Sequence, residues 1–423
     1  MLVDFLKRIY KKLNTDVVHG VQQKVMPLDE QKKFLASFPE PKDVYERSFY
    51  KFQCFCEYCY YKKKWMLILY NLGAMVLCPF VFAVFKKRGA KQVKSEVSYD
   101  AVVENVPRLR NEDVIPEELA ASFNTVKEIE ELDYMSGYLT PKAAEICKNL
   151  RKRYFWQFYF RTIVMIKLAL FSRYLYEYNP KKIAFYSVER EFSGPLQTLL
   201  CEQEGAEYIC FMHGDYLYSL AFAFQKYSHY YIWDDVYNRM FLDLKCDCPM
   251  TVYQPKKLSG IAKKLDEHEC SYFATYYFSA ETREQALKIK EAFLVFEKRG
   301  LRCKIRPHPR FSDIAMLSEV FAETEIEDPK NYSLADSITD SVYTVGLNTT
   351  VLSQAYFSGK KVAIDDVSAP SEYHELKDRQ YIMLNRPHEL LSDIVGELAD
   401  SCPYDESYCF VQNDYVRSSF EQG

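Results

Sequence analysis

Arg306-Pro307-His308-Pro309-Arg310 closes a strand-like stretch in the C-terminal third of this chain. Gly346-Leu347-Asn348-Thr349-Thr350 follows at the mouth of an expected helix. Arginine keeps its charge and offers a planar fork that fits phosphate oxygens two at a time. His308 can donate to a departing phosphate, and the prolines on either side restrict its backbone. Gly346 permits close backbone approach, while Asn348, Thr349 and Thr350 either cap the helix or bind phosphate at its positive end. Ser279, at the start of the preceding helix, is a third contact for phosphate or ribose. Arg306, His308, Arg310, Ser279 and Asn348 to Thr350 together suit a diphosphate or phosphate ester. The plain alternatives are a strand-ending turn with solvated arginines and a helix that is merely capped.

A second constellation lies earlier. Phe211-Met212-His213-Gly214-Asp215-Tyr216 ends another strand. His213 and Asp215 are the general-base candidates for an acceptor hydroxyl, and Gly214 allows a tight turn between them. A structural His-Gly turn is the alternative. Glu189 and Glu191 follow a neighbouring strand and suit acceptor hydroxyls, an alternative base, or solvated loop charges. The chain has no Walker A sequence, no GxGxxG after a strand and no GxSxG elbow. Asp234-Asp235 and Asp365-Asp366 are adjacent pairs without the single-residue gap of a DxD motif. The expectation is a metal-free site that needs no cofactor. Cys54, Cys56 and Cys59 have no obvious fourth ligand for zinc and are expected to be reduced thiols among the 13 cysteines.

These residues require parallel sheets to position them. Ile183 to Ser187, Tyr208 to Phe211 and Tyr230 to Trp233 read as buried strands separated by helical stretches, the rhythm of a βαβ series. A second series runs through strands at Tyr272–Tyr277, Cys303–Arg306, Val342–Val345 and Lys361–Ile364, with helices at Glu281–Lys298 and Thr350–Phe357. Pro141 to Tyr178 reads as one long helix. The expected organisation is a helical membrane-associating region over 1–95, a Rossmann-like domain over 96–253, a linker over 254–270, a second Rossmann-like domain over 271–400, and a tail over 401–423. Ligands of such α/β domains bind beyond the strand C-termini, here in the cleft expected between the two domains.

The chain has 423 residues and a formal charge of −4, yet its first 64 residues are basic. That asymmetry favours an anionic membrane surface as partner. No Lys/Arg stripe interleaved with aromatics suggests nucleic acid. Leu2, Phe5, Leu6, Ile9 and Leu13 follow helical spacing with lysines and Arg8 between them, the pattern of an interfacial helix. Trp65 to Phe85 is uncharged over 21 residues, flanked by Lys62 to Lys64 and by Lys86 to Arg88. It is long enough to cross a bilayer, but both ends are basic, which leaves spanning, dipping and packing open.

In outline the pattern resembles the GT-B glycosyltransferases of bacterial surface polysaccharide assembly: sialyl- and polysialyltransferases, capsule Kdo transferases and CDP-glycerol glycerophosphotransferases. His308-Pro309 matches the His-Pro motif of the sialyltransferases, Thr349-Thr350 loosely matches their Ser-Ser/Thr motif, and His213-Gly214 matches the strand-ending His-Gly of the glycerophosphotransferases. The acidic-acidic-Gly base motif has no clear counterpart, and Gln354-Ala355 stands where many such chains have Glu-Ala. The resemblance implies two Rossmann-like domains, a CMP- or UDP-activated sugar donor, and a glycan or lipid-linked acceptor on the cytoplasmic face of a bacterial inner membrane. A nucleotide-sugar 2-epimerase and a non-catalytic scaffold of the same architecture are the competing expectations.

Overall fold

The computed structural model describes residues 26–396, apart from 62, 105–113, 131, 187, 257, 259–261, 263–268 and 323. The interfacial helix expected over residues 2–13, most of the linker and the 401–423 tail lie outside the described residues. The chain divides into two compact units: residues 1–213 with 219–253, and residues 214–218 with 254–423.

The first unit begins with three helices, α1 (Leu28–Ala36), α2 (Val44–Cys59) and α3 (Trp65–Gly89). Then come β1 (Ala101–Glu104), α4 (Glu117–Ala121), β2 (Val126–Ile129), α5 (Pro141–Arg153) and α6 (Phe158–Glu177). The remainder is β3 (Lys182–Tyr186), α7 (Gly194–Glu204), β4 (Glu207–Phe211), β5 (His229–Ile232), α8 (Asp235–Asp243) and β6 (Met250–Val252). The six strands form a parallel sheet in the order β2-β1-β3-β4-β5-β6. Ile183, Ala184, Phe185 and Tyr186 are all buried, as are Tyr208 to Phe211. A sheet covered on both faces demands such continuous apolar runs.

The second unit contains β7 (Tyr272–Tyr277), α9 (Arg283–Glu297), β8 (Cys303–Arg306), α10 (Ile314–Val320), β9 (Glu325–Ile326) and α11 (Leu334–Thr339). It continues with β10 (Ser341–Gly346), α12 (Thr350–Phe357), β11 (Lys361–Ile364), α13 (Pro370–Asp378), β12 (Glu389–Leu390) and α14 (Leu391–Gly396). Its sheet is also parallel and six-stranded, in the order β12-β11-β10-β7-β8-β9. The core gathers Tyr276, Ile289, Phe293, Ile305 and Val345 from both sheet and helices. Two Rossmann-like α/β units are thus present, as the strand pattern predicts.

The N-terminal helical extension packs on the first unit, and one expectation about a later helix needs correction. Lys51 of α2 is fully buried and donates to the carbonyls of Glu189 (2.9 Å) and Ala223 (3.2 Å). Gln31 of α1 accepts from the Leu220 amide at 2.8 Å. The helix expected over residues 141–178 is broken over 154–157, where the Tyr154 ring stacks on Phe49 with centroids 4.3 Å apart. Asn71 of α3 then stabilises the restart. Its amide donates to the Trp156 carbonyl and its carbonyl accepts from the Tyr159 amide, each at 3.0 Å.

Helix α3 seats on this unit through Ala74, Cys78, Val81, Phe85 and Gly89. A Cβ at Gly89 would lie 1.9 Å from the Leu139 carbonyl oxygen, whereas one at Gly73 would meet nothing within 4 Å. Gly89→Ala is expected to destabilise the unit by about 1–3 kcal/mol. Gly73→Ala is expected to be neutral or to stabilise by up to about 1 kcal/mol through helix propensity. Thermal unfolding of the two variants checks this contrast.

Candidate functional site

In the second unit the strand order reverses between β7 and β10. Open α/β sheets bind ligands beyond the strand C-termini at such a reversal. Three adjacent strands, β8, β7 and β10, deliver the sequence-predicted donor residues there. His308 follows β8, Ser279 follows β7, and Asn348 to Thr350 follow β10. The first two loops are tied together. The His308 amide donates to the Ser312 hydroxyl at 2.8 Å, and that hydroxyl donates to the Ser279 carbonyl at 2.9 Å. Gly346 makes the turn out of β10 possible, since a Cβ there would lie 3.0 Å from the Thr349 methyl and 3.5 Å from the Tyr277 carbonyl.

The imidazole of His308 is oriented. Its Nδ1 accepts from the Arg310 amide at 3.1 Å, and its ring stacks on Phe311 at 4.4 Å. Burial first, and the Arg310 charge second, hold the ring below the usual histidine range. A neutral ring whose Nδ1 accepts must carry its proton on Nε2, where it is a hydrogen-bond donor. Arg310, two residues on, and Asn348, after β10, are exposed at the same sheet edge.

Other members of the predicted set are committed elsewhere. Arg306 is buried: its guanidinium is paired with Glu327 and donates to the carbonyls of Ser333 (3.3 Å) and Tyr332 (3.0 Å). It braces the sheet edge. Thr349 caps α12 by accepting from the Val351 amide at 3.3 Å. Thr350 accepts from the Asp215 amide at 3.2 Å, and the Asp215 carboxylate accepts from Ser353 at 2.7 Å. Asp215 therefore anchors residues 214–218 to α12, which argues against its use as a base. Arg386, buried near Tyr356 and Phe357, donates to the same Ser353 hydroxyl at 3.2 Å.

The first unit reverses its order between β1 and β3. Past β4, the Nδ1 of His213 lies 3.5 Å from Glu189 Oε1, at the outer limit of a hydrogen bond. Glu189 is 2% exposed. It also accepts from the Tyr230 hydroxyl at 3.4 Å. Its backbone is pinned as well, with its carbonyl accepting from Lys51 and from Gln225 at 3.0 Å. Burial pushes the Lys51 ammonium down to about 8. Glu191 is not a solvated loop charge: it pairs with Lys167 of α6, which also donates to the Tyr134 hydroxyl at 2.8 Å.

Sequence reasoning missed Glu104, the last residue of β1. One of its carboxyl oxygens is buried without a hydrogen-bond partner. Burial, followed by the charge of Glu191, raises its carboxyl to about 8, against the pull of Lys167. It also missed Glu281, raised to about 7 mainly by burial, which accepts from the Ser279 amide at 2.5 Å. The signal was available. Thr282 and Gln285 form a reciprocal capping box, which starts α9 after Glu281 and leaves Glu281 in the loop with Ser279.

Among the described residues no group of three His, Cys, Asp or Glu could hold a metal ion. Cys54, Cys56 and Cys59 are buried, and burial raises each thiol, Cys59 to about 12.

No protein-family model matches the chain, and no curated protein matches it. Solved structures do. A glycotransferase of kitacinnamycin aligns at 10% identity and a TM-score of 0.44, over 78% of this chain and 96% of its own. The wall teichoic acid polymerase TagF aligns at 9% identity and a TM-score of 0.41, over 84% and 92%. A protein assigned as a UDP-N-acetylglucosamine 2-epimerase of Listeria monocytogenes aligns at 12% identity and 0.41, over 77% and 98%.

The Glu104 carboxyl gives a pH signature. Its folded value lies far above the ordinary 4.5, so the folded state binds a proton that the unfolded chain has released. That contribution is complete below 4.5 and is lost as pH rises through about 8, at up to about 1.4 kcal/mol per pH unit. Melting temperatures measured from pH 5 to 8 should therefore fall more steeply in the native protein than in Glu104→Gln.

Proposed function

We propose that this chain is a glycosyltransferase of the GT-B class, moving a sugar from a CMP- or UDP-activated donor to a glycan or lipid-linked acceptor. The observation that carries the reading is His308, an imidazole oriented through its Nδ1 at the strand-order reversal of the second unit. A leaving phosphate needs an oriented hydrogen-bond donor. Arg310 supplies charge, while Asn348, Ser279 and the first turn of α12 supply further polar contacts. Arg306 and Thr350 hold these groups in place from behind.

The first unit supplies the acceptor side. With Glu189 Oε1 3.5 Å from its Nδ1, His213 is assigned as the base through Nε2. In the proposed reaction the acceptor hydroxyl gives its proton to His213 Nε2 as its oxygen bonds to the anomeric carbon. The bond from that carbon to the donor phosphate breaks, and the phosphate oxygen leaves with the electron pair, stabilised by His308. Displacement of this kind inverts the anomeric centre. Glu191, partly exposed and held by Lys167, is assigned to the acceptor hydroxyls.

Full-length protein incubated with CMP- and UDP-sugars should release nucleotide only when a lipid-linked glycan extract is added. His213→Ala should lower the turnover rate by about 10²–10⁴-fold and leave donor KM little changed. Conversion of a donor without acceptor would point to an epimerase. Full turnover in His213→Ala would remove the assigned base.

A further inference from the structure

Helix α3 has two unlike faces. One is the seat formed by Ala74, Cys78, Val81, Phe85 and Gly89. The other exposes Trp65 (60%), Ile68 (63%), Leu69 (56%), Leu72 (51%), Val76 (72%) and Phe80 (49%). These recur at helical spacing and make one apolar stripe. Water-exposed stripes of this extent mark docking surfaces. The α5–α6 turn adds Phe155 (45%) and Trp156 (71%). Asn71 ties that turn to α3 through the Trp156 carbonyl, so helix and turn form one built surface.

Charge identifies the occupant. No acidic residue occurs between Trp65 and Arg88. Exposed Lys63 and Lys64 precede the stripe, and exposed Lys86, Lys87 and Arg88 follow it. Arg151, Lys152 and Arg153 are exposed just before the turn. An antiparallel pairing of two copies of α3 would set these cationic ends against each other. Lys64 is already paired with Glu57 at 2.8 Å and Arg153 with Asp43, but an anionic lipid surface would neutralise the rest and take up the apolar stripe and the tryptophans, which favour the membrane interface.

We infer that α3 and the Phe155-Trp156 turn insert together into one leaflet of an anionic bilayer, with α3 lying along the membrane rather than crossing it. A crossing helix would have to part from its seat, where Gly89 touches the Leu139 backbone and the Phe85 carbonyl accepts from the Leu139 amide at 3.1 Å. The surface stands independently of the proposed sugar transfer.

The three tryptophans provide the test, because Trp233 is buried in the unit at 4% exposure. Full-length protein is mixed with phosphatidylcholine–phosphatidylglycerol vesicles that carry brominated acyl chains. A variant retaining only Trp156 (Trp65→Phe with Trp233→Phe) should be strongly quenched, and one retaining only Trp233 should not. Val76→Glu should weaken vesicle binding at least tenfold without lowering the melting temperature, since Val76 is exposed. Absence of vesicle binding would overturn the inference. So would an unquenched Trp156 on bound protein, as anchoring through residues 1–25 alone would give. A stable lipid-free dimer that buries this face would overturn it too.

Discussion

Where the strands of a parallel sheet end, the backbone leaves its hydrogen-bonded ladder and its amides and carbonyls need other partners. The chemistry of an α/β unit sits at that edge, so what holds the departing loops determines what the site can be. Both units of this chain meet the constraint with a buried cation. In the first, Lys51 reaches from α2 to the carbonyls of Glu189 and Ala223. In the second, Arg306 leaves β8 to bind the carbonyls of Tyr332 and Ser333 while pairing with Glu327. Glu327 also pairs with the buried Lys304 at 2.7 Å. Removing one partner of such a buried set leaves an uncompensated charge, which is strongly destabilising.

This division of labour separates charges that build the site from groups that face a ligand. His213 gains its orientation from Glu189, and Glu189 is fixed through Lys51, Gln225 and Tyr230. His308 is turned by the Arg310 amide and braced by Phe311 and Ser312. The two imidazoles differ in kind. One is a base candidate backed by a carboxylate; the other is held neutral by burial and a neighbouring cation and suits donation to an anion.

The strands that carry the site were legible, because fully buried parallel strands write themselves as apolar runs. Tyr272–Tyr277, Cys303–Arg306 and Lys361–Ile364 have the expected bounds. The short edge strands β2, β6, β9 and β12 were not, as two to four residues of mixed polarity carry no period. At the break between α5 and α6 the chain is met by Phe49 and Asn71, far away in sequence, which no local pattern announces. The same limit applied to residue roles. Arg306, Thr350, Asp215 and Glu189 have the residue types of a site, but their hydrogen-bond and ion-pair partners are long-range and could not be read from the sequence. Glu104 looked like the end of a strand. Its carboxyl is raised first by burial and then by the Glu191 charge, both of which only the fold supplies.

The central claim is that the second unit holds a nucleotide phosphate through His308. Calorimetric titration of full-length protein with CMP, CDP, UMP and UDP tests it most directly. The account predicts that one nucleotide family binds, and that His308→Ala weakens its binding at least tenfold, about 1.4 kcal/mol, while the melting temperature of the unliganded protein is unchanged. Binding as tight in His308→Ala as in the native chain, or no binding by any of the four, would contradict it.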